Sequence, residues 1–111
     1  MKVTFASARL KKCFEDGAKL QREVDPSWVR TMMKQMAALI AAENFGDFLS
    51  LRLWHPEPLE GSESRWSLRI SANARLIIEL DATNDTVVIC TAVEVKGVCD
   101  YHGGKNNWYI Q

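Results

Sequence analysis

Three arginines fall on one side of a predicted β-hairpin, where their guanidinium groups can bind an anion. In the segment 65–81 apolar and polar residues alternate in two runs, which predicts two half-buried antiparallel strands. Successive side chains of a strand point to opposite sides, so Arg65, Arg69 and Arg75 turn away from the core together. Arginine is permanently charged and presents a planar set of donors that suits phosphate. The same pattern is also typical of a solvated strand surface that pairs across the hairpin with Glu79.

The elements that must support this hairpin begin with two predicted helices. Ser7 is a suitable N-cap for a short amphipathic helix, and Gly17 is a natural end for it. Asp25 and Pro26 begin a second helix, because aspartate caps free N–H groups and proline suits the first turn. Apolar residues at helical spacing continue this helix to about Glu43. The polar segment between the two helices is ambiguous.

Strands and extended loops are predicted for the rest of the chain. Alternation predicts a short strand at 2–5, and another strand is predicted at 50–54. The His-Pro-Glu-Pro sequence at 55–58 predicts an extended loop, because its two prolines cannot donate to a sheet. A β-branched apolar run at 86–95 predicts an interior strand, and the tail 103–111 is either a frayed end or an added edge strand. The predicted fold is α+β, with two N-terminal helices packed on one face of a mainly antiparallel, twisted sheet.

Length and composition narrow the class of protein. The 111 residues, of which 47% are hydrophobic and 25% charged, predict a single globular domain over 1–111. The longest apolar run near the middle, 36–42, is far shorter than the roughly 20 residues that a bilayer requires. The first residues return to lysine at once and lack the hydrophobic segment of a secretory signal. We therefore expect a cytoplasmic protein without a membrane span.

The balance of charge argues against a generic nucleic-acid-binding protein. The 14 Lys and Arg residues match 14 Asp and Glu residues, so the net charge is zero. Proteins that bind nucleic acid without a local site are usually strongly basic, because they gain from the release of counterions. Any contact of this chain with RNA must therefore be local.

The cysteine content predicts neither a disulfide framework nor a metal site. Cys13, Cys90 and Cys99 are odd in number and contain no close pair, and only two histidines are available to help bind a metal. Each cysteine is expected to be a small buried hydrophobe instead of a reactive thiol. The sequence predicts no cofactor.

Several segments, taken together, follow the pattern of a known family. They are ASARLKK near the start, a helix ending in AAEN, a histidine-proline loop, LEGSESRWSLRISANARLIIEL, and a DYH triplet after a β-rich strand. Over residues 3–102 the chain resembles the RelE/ParE toxin superfamily, and most closely its HigB-like branch of plasmid maintenance killer proteins. The resemblance implies a RelE-like α+β fold and a toxin of a type II toxin–antitoxin pair. Its expected partner is a small helix-turn-helix antitoxin.

The resemblance also implies an activity and its residues. HigB-like toxins are mRNA endonucleases that act on ribosome-bound mRNA without a metal, by setting a ribose 2′-hydroxyl to attack its own 3′ phosphate. Such chemistry needs a proton acceptor, a cation for the charge on phosphate, and an acid for the leaving oxygen. The residues at the matching positions are His55, Arg75, Asp100, Tyr101 and His102. Arg65 and Arg69, on the same predicted face as Arg75, are expected to contact the RNA.

The chain departs from the family pattern at several positions. Glu60 replaces the lysine of a Leu-Lys-Gly turn, Ala74 replaces an aromatic residue, and 56–58 adds two residues after His55. The chain also continues past DYH as the extension 103–111. Glu60 and the net charge of zero favour an alternative function, that of a catalytically silent RelE-fold protein that binds an antitoxin or another protein. A gyrase poison of the ParE type is a third hypothesis, ranked last because those relatives usually lack the DYH ending.

Overall fold

In its computed structural model the chain forms a mixed β-sheet with helices packed on one side. The structure describes residues 1–81, 87–102 and 105–111, apart from the side chains of residues 101, 102, 105 and 106. The described helices are α1 (Ala8–Glu15), α2 (Gly17–Glu23), α3 (Pro26–Ala41) and α4 (Phe45–Ser50). The described strands are β1 (Lys2–Phe5), β2 (Glu57–Pro58), β3 (Arg65–Arg69), β4 (Ala74–Leu80), β5 (Ala92–His102) and β6 (Lys105–Ile110). The α+β prediction is confirmed.

Side-chain caps set the beginnings of the helices. The hydroxyl of Ser7 accepts a hydrogen bond from the amide of Leu10 at 3.1 Å, and Oδ1 of Asp25 accepts one from the amide of Ser27 at 2.9 Å. These contacts satisfy N–H groups that have no partner within the helix. Both predicted caps are confirmed, and so is the strand at Lys2–Phe5.

The prediction of two helices was wrong, because the described chain contains four. Gly17 begins α2 instead of ending a helix, and Oδ1 of Asp16 caps α2 by accepting from the amide of Ala18 at 3.0 Å. Asn44 likewise begins α4, where its side chain accepts from the amide of Asp47 at 2.8 Å. Both helices are short, so the capping residue at the start of each is a clearer sequence signal than the spacing of its apolar residues.

The strand predicted at 50–54 was wrong, because these described residues form no strand, and the strand predicted at 86–95 was wrong in its bounds. Ser50 ends α4, and a loop follows it. Residues 82–86 lie outside the described ranges, 87–89 form a turn, and β5 begins only at Ala92. The carbonyls of Val88 and Cys90 accept hydrogen bonds from the amides of Gly46 and Phe45 at the start of α4. These carbonyls therefore bond to α4 and not to a neighbouring strand. In the tail, β6 realises the edge-strand alternative.

The sheet is organised around β5. Its first part pairs in parallel with β1 and its second part in antiparallel with β6, while β4 pairs along its length. Strands β4, β3 and β2 follow as antiparallel neighbours. The parallel β1–β5 pair makes the sheet mixed, although most pairs are antiparallel as expected.

The two sides of the sheet differ in what covers them. Leu76, Ile78 and Leu80 of β4 join the helices in a hydrophobic core, and we call this the helix side. The alternate residues Arg75 and Glu79, with their cross-strand partners Arg69 and Arg65, occupy what we call the arginine side. No helix within the described ranges combines the length and the apolar character that crossing a bilayer requires.

Candidate functional site

The loop that carries His55 has an unusual backbone. Arg52, Trp54 and His55 have φ angles of 55°, 58° and 47°, a left-handed conformation that costs of the order of 1–3 kcal/mol for each residue that bears a side chain. Stacked rings of Phe48 and Trp54, 6.1 Å apart, pack the loop against α4. The amide of Arg69 donates to the carbonyl of Trp54 at 2.7 Å and ties the loop to β3. Strain of this kind, held by surrounding contacts, is typical of functional loops.

His55 forms a close pair with Glu57 on the arginine side. Its Nε2 atom lies 2.7 Å from Oε1 of Glu57. Glu57 of β2 lies opposite Ser67 of β3, and Ser67 lies opposite Ile77 of β4. Ile77 is two residues from Arg75 on the same strand. Cross-strand partners and alternate residues share a side of the sheet, so the pair lies on the side that carries Arg75. A carboxylate bonded to one ring nitrogen orients an imidazole and leaves the other nitrogen for proton transfer.

Arg69 and Arg75 face each other across the hairpin. They are direct partners in the β3–β4 register, and like charges at such positions destabilise a sheet. Neither forms an ion pair with a carboxylate among the residues that the structure describes. The Nη1 atom of Arg75 is buried and, within the described ranges, has no hydrogen-bond partner. Two arginines at facing cross-strand positions are a candidate site for phosphate, which their guanidinium donors suit.

The backbone of Arg69 is held from the helix side as well as from the loop. Its carbonyl accepts a hydrogen bond from Nε2 of Gln35 at 2.9 Å. Gln35 is a fully buried residue of α3. Gln35 was not among the residues predicted from the sequence, although it lies among the apolar positions Met32 and Met36 of an amphipathic helix. A buried amide at such a position needs a specific partner.

Arg65 differs from the other two arginines because it has a carboxylate partner. Its Nε atom lies 3.4 Å from Oε1 of Glu79, while Nζ of Lys96 lies 3.1 Å from Oε2 and also pairs with Glu94. Burial disfavours the charged form of Glu79, but the hydrogen bonds and charges of Lys96 and Arg65 outweigh it, so the pKa of Glu79 is below its ordinary value. Cross-strand pairing, one of the two roles expected for these arginines, is confirmed for Arg65.

Cys99 lies opposite Arg75 on β5 and is fully buried. Burial and the negative charge of Asp100 raise the pKa of the thiol to about 11, against the influence of Arg75. The thiol is therefore protonated at neutral pH and is a poor nucleophile. Cys13 and Cys90 are buried too, so the expectation of small buried residues is confirmed for all three cysteines.

Asp100 lies on the helix side instead of beside Arg75. It is opposite Ala74 in the β4–β5 register, whereas Arg75 is opposite Cys99, and successive residues of a strand alternate in side. Burial raises the pKa of Tyr109, and so do the charge of Asp100 and the hydrogen bond to its carboxylate. The ring of Tyr109 meets that of Trp28 on α3, with 5.2 Å between the centroids. This hydrogen bond and ring contact hold Asp100 close to α3.

The structure thus brings together part of the predicted site. Glu57, the partner of His55, and Arg75 lie on the same side of the sheet, on strands separated by β3. Tyr101 and His102 belong to β5 by their backbone, but their side chains lie outside the described residues. Sequence analysis missed Glu57 as the partner of His55. The signal was the presence of a carboxylate two residues after the histidine.

The groups on the arginine side suit anion binding and proton transfer. Among the residues that the structure describes, no set of three His, Cys, Asp or Glu side chains is placed to hold a metal ion. Comparison of the chain with protein-family models, with curated proteins and with solved structures gives no match. Functional assignment therefore depends on the geometry of the site and on the family resemblance of the sequence.

Proposed function

We propose that the chain is the toxin of a type II toxin–antitoxin pair, of the HigB-like branch of the RelE/ParE superfamily, and that it cleaves ribosome-bound mRNA in the cytoplasm. One observation supports the proposal most strongly. Arg69 and Arg75 face each other without a carboxylate ion pair in the described part of the chain, on the side of the sheet that also carries the His55–Glu57 pair. The family resemblance points independently to His55 and Arg75.

In the proposed reaction the two guanidinium groups bind the phosphate whose bond is cut. Arg75 contributes Nη1, which lacks an acceptor among the described residues, and a phosphate oxygen would supply one. Negative charge grows on the phosphoryl oxygens as the 2′-oxygen attacks. Cations that are already in place stabilise this charge with little reorganisation.

His55 is proposed as the group that removes the proton from the ribose 2′-hydroxyl. Glu57 holds its Nε2 atom, which leaves Nδ1 to accept the proton and lets the carboxylate stabilise the resulting positive charge. The new bond joins the 2′-oxygen to phosphorus, and the bond from phosphorus to the 5′-oxygen breaks. His102, at the position of the terminal histidine of the family, is expected to protonate that leaving oxygen.

A translating extract supplied with one mRNA and the purified chain tests this function. We expect fragments that carry a 2′,3′-cyclic phosphate on one side of the cut and a 5′-hydroxyl on the other, and no fragments when translation initiation is blocked. Fragments that end in a 3′-hydroxyl would indicate a different reaction. Intact mRNA, together with normal growth of cells that express the chain without an antitoxin, would rule out the toxin function.

A catalytically silent protein that binds an antitoxin or another protein is the second candidate. Two observations favour it: Glu60 is exposed where the family has a lysine, and Leu51 and Leu53 next to the His55 loop are 47% and 48% exposed. Exposed apolar side chains of this size are common in protein interfaces. The Glu60→Lys variant separates the candidates, since cleavage that appears only in this variant would indicate a nuclease site that has been lost.

A further inference from the structure

A groove between α1 and α2 carries a concentration of positive charge. Its volume is about 440 Å³. The residues that line it are Arg9, Lys12, Cys13, Lys19, Arg22 and Glu23. We call it the basic groove. Four cations against a single carboxylate form a strongly positive local surface on a chain whose net charge is zero.

Helix geometry arranges these cations in two short rows. Arg9 and Lys12 are three residues apart on α1, as are Lys19 and Arg22 on α2, so each pair lies on one helix face with about 5–6 Å between Cβ atoms. Of these four cations only Arg9 has an ion-pair partner among the described residues, with Nη2 at 2.7 Å from Oε2 of Glu23. The other three cations are exposed and available to a ligand.

The basic groove faces away from the sheet. Leu10 and Phe14 of α1 and Leu20 of α2 are buried in the core on the helix side, so the exposed cations of the same helices turn outward. The His55–Glu57 pair and the facing arginines lie on the arginine side instead. The two positive surfaces are therefore on opposite sides of the sheet, and one bound phosphate cannot occupy both.

We propose that the basic groove binds the phosphate backbone of RNA without regard to sequence. Cys13 in its floor is only 4% exposed, and none of the large exposed hydrophobic residues of the described chain lines the groove. An acidic peptide would usually need apolar anchors for affinity. A chain of phosphates needs only cations at a suitable spacing, since its affinity comes from charge and the release of counterions.

The binding surface goes beyond the proposed nuclease and does not depend on it. RNA around a toxin on the ribosome is one source of such a backbone, but the recognition chemistry is that of any RNA strand. Outside the groove the chain carries 10 Lys and Arg residues against 13 Asp and Glu residues, so this local surface would account for most of the salt-dependent affinity of the helix side.

Binding of a fluorescent 2′-O-methyl RNA of about 20 uridines to the full chain, followed by anisotropy between about 50 and 200 mM salt, tests the proposal. This RNA has no 2′-hydroxyl, so cleavage does not enter the result. The groove variant is Lys12→Gln with Lys19→Gln. Its control is Lys2→Gln with Lys34→Gln, which changes the net charge equally at exposed positions away from the groove.

The groove variant should bind more weakly, and its plot of log affinity against log salt should be shallower by about 1.4, because each lost phosphate contact on a single strand accounts for about 0.7. The control should keep the natural slope. Equal slopes for the two variants would overturn the proposal. Displacement of the RNA by polyglutamate at a lower concentration than by unlabelled RNA would also overturn it, in favour of an acidic protein partner.

Discussion

Arg69 and Arg75 lie directly opposite each other in the β3–β4 register, and neither has an ion pair in the part of the chain that the structure describes. Arg65, on the same strand as Arg69, is instead paired with Glu79. Placing two like charges face to face lowers the stability of a sheet. A bound phosphate would offset that cost, so stability and function should respond in opposite directions when one of the two charges is removed.

The Arg69→Gln variant tests this opposition. Its free energy of unfolding should rise by about 0.2–1 kcal/mol, because a like-charge cross-strand pair is removed, while its affinity for RNA and its cleavage rate should fall. Arg65→Gln should instead lose stability, by at most about 1 kcal/mol, since it breaks an exposed ion pair. Urea denaturation measures both values. Equal loss of stability in both variants would show that the charge on Arg69 is compensated.

The pairing of His55 with Glu57 gives a second prediction. His55→Ala should reduce cleavage by about 10² to 10⁴, the usual contribution of a general base. Glu57→Gln should cause a smaller loss, because the amide can still contact the ring but cannot stabilise its positive charge. Glu63→Gln, a change of the same kind at an exposed turn position, is the control. If Glu57→Gln cleaves mRNA as fast as this control, Glu57 has no part in positioning the imidazole.

Gly97 has a structural role that a matched pair of glycine variants can test. Its φ is 151°, and a Cβ atom there would clash with the carbonyl oxygen of Ile110 on β6. Gly97→Ala should therefore lower the free energy of unfolding by about 3 kcal/mol. Gly17→Ala, at the open start of α2, should raise it by about 0.4–1 kcal/mol through reduced freedom of the unfolded chain. Similar thermal stability of the two variants would contradict the close approach of β5 and β6.

The lowered pKa of Glu79 predicts how stability changes in acid. A carboxylate with a lowered folded-state pKa stabilises the fold fully above its ordinary pKa, and this contribution is lost as the pH falls through the folded value. The ordinary value here is 4.5. Glu79→Gln should therefore lose less stability than the natural chain between about pH 5 and pH 3. Lys96→Gln, which removes a charge partner of Glu79, should likewise make the free energy of unfolding less dependent on pH in this range. Parallel curves for all three chains would be inconsistent with the ion network.

Features that depend on local pattern were predictable from the sequence. The hairpin of β3 and β4 follows from alternation of apolar residues, and the caps at Ser7 and Asp25 follow from side chains that bond to nearby amides. Helices α2 and α4 were missed because they are too short to show a clear period. The left-handed loop at Arg52, Trp54 and His55 was missed because contacts with distant residues stabilise it.

The position of Asp100 shows why the site was predictable only in part. Val93 and Val95 face the helix side, and simple alternation along β5 would then place Asp100 on the arginine side. The register of β4 with β5 shifts at Ile77 and Ile78, so Val98 and Asp100 take the helix side instead. A shift of one residue reverses every later side chain. Such a bulge depends on long-range pairing, which a single sequence does not reveal.

Cleavage of one mRNA in a translating extract by the natural chain, by the Arg69→Gln with Arg75→Gln variant and by a Lys34→Gln control tests the central proposal most directly. Lys34 is exposed on α3, away from the arginine side. The proposal predicts that the natural chain and the control produce the same fragments, while the double variant remains folded, as measured by circular dichroism, and leaves the mRNA intact. Equal cleavage by the folded double variant would contradict the assignment of this arginine pair as the phosphate-binding site.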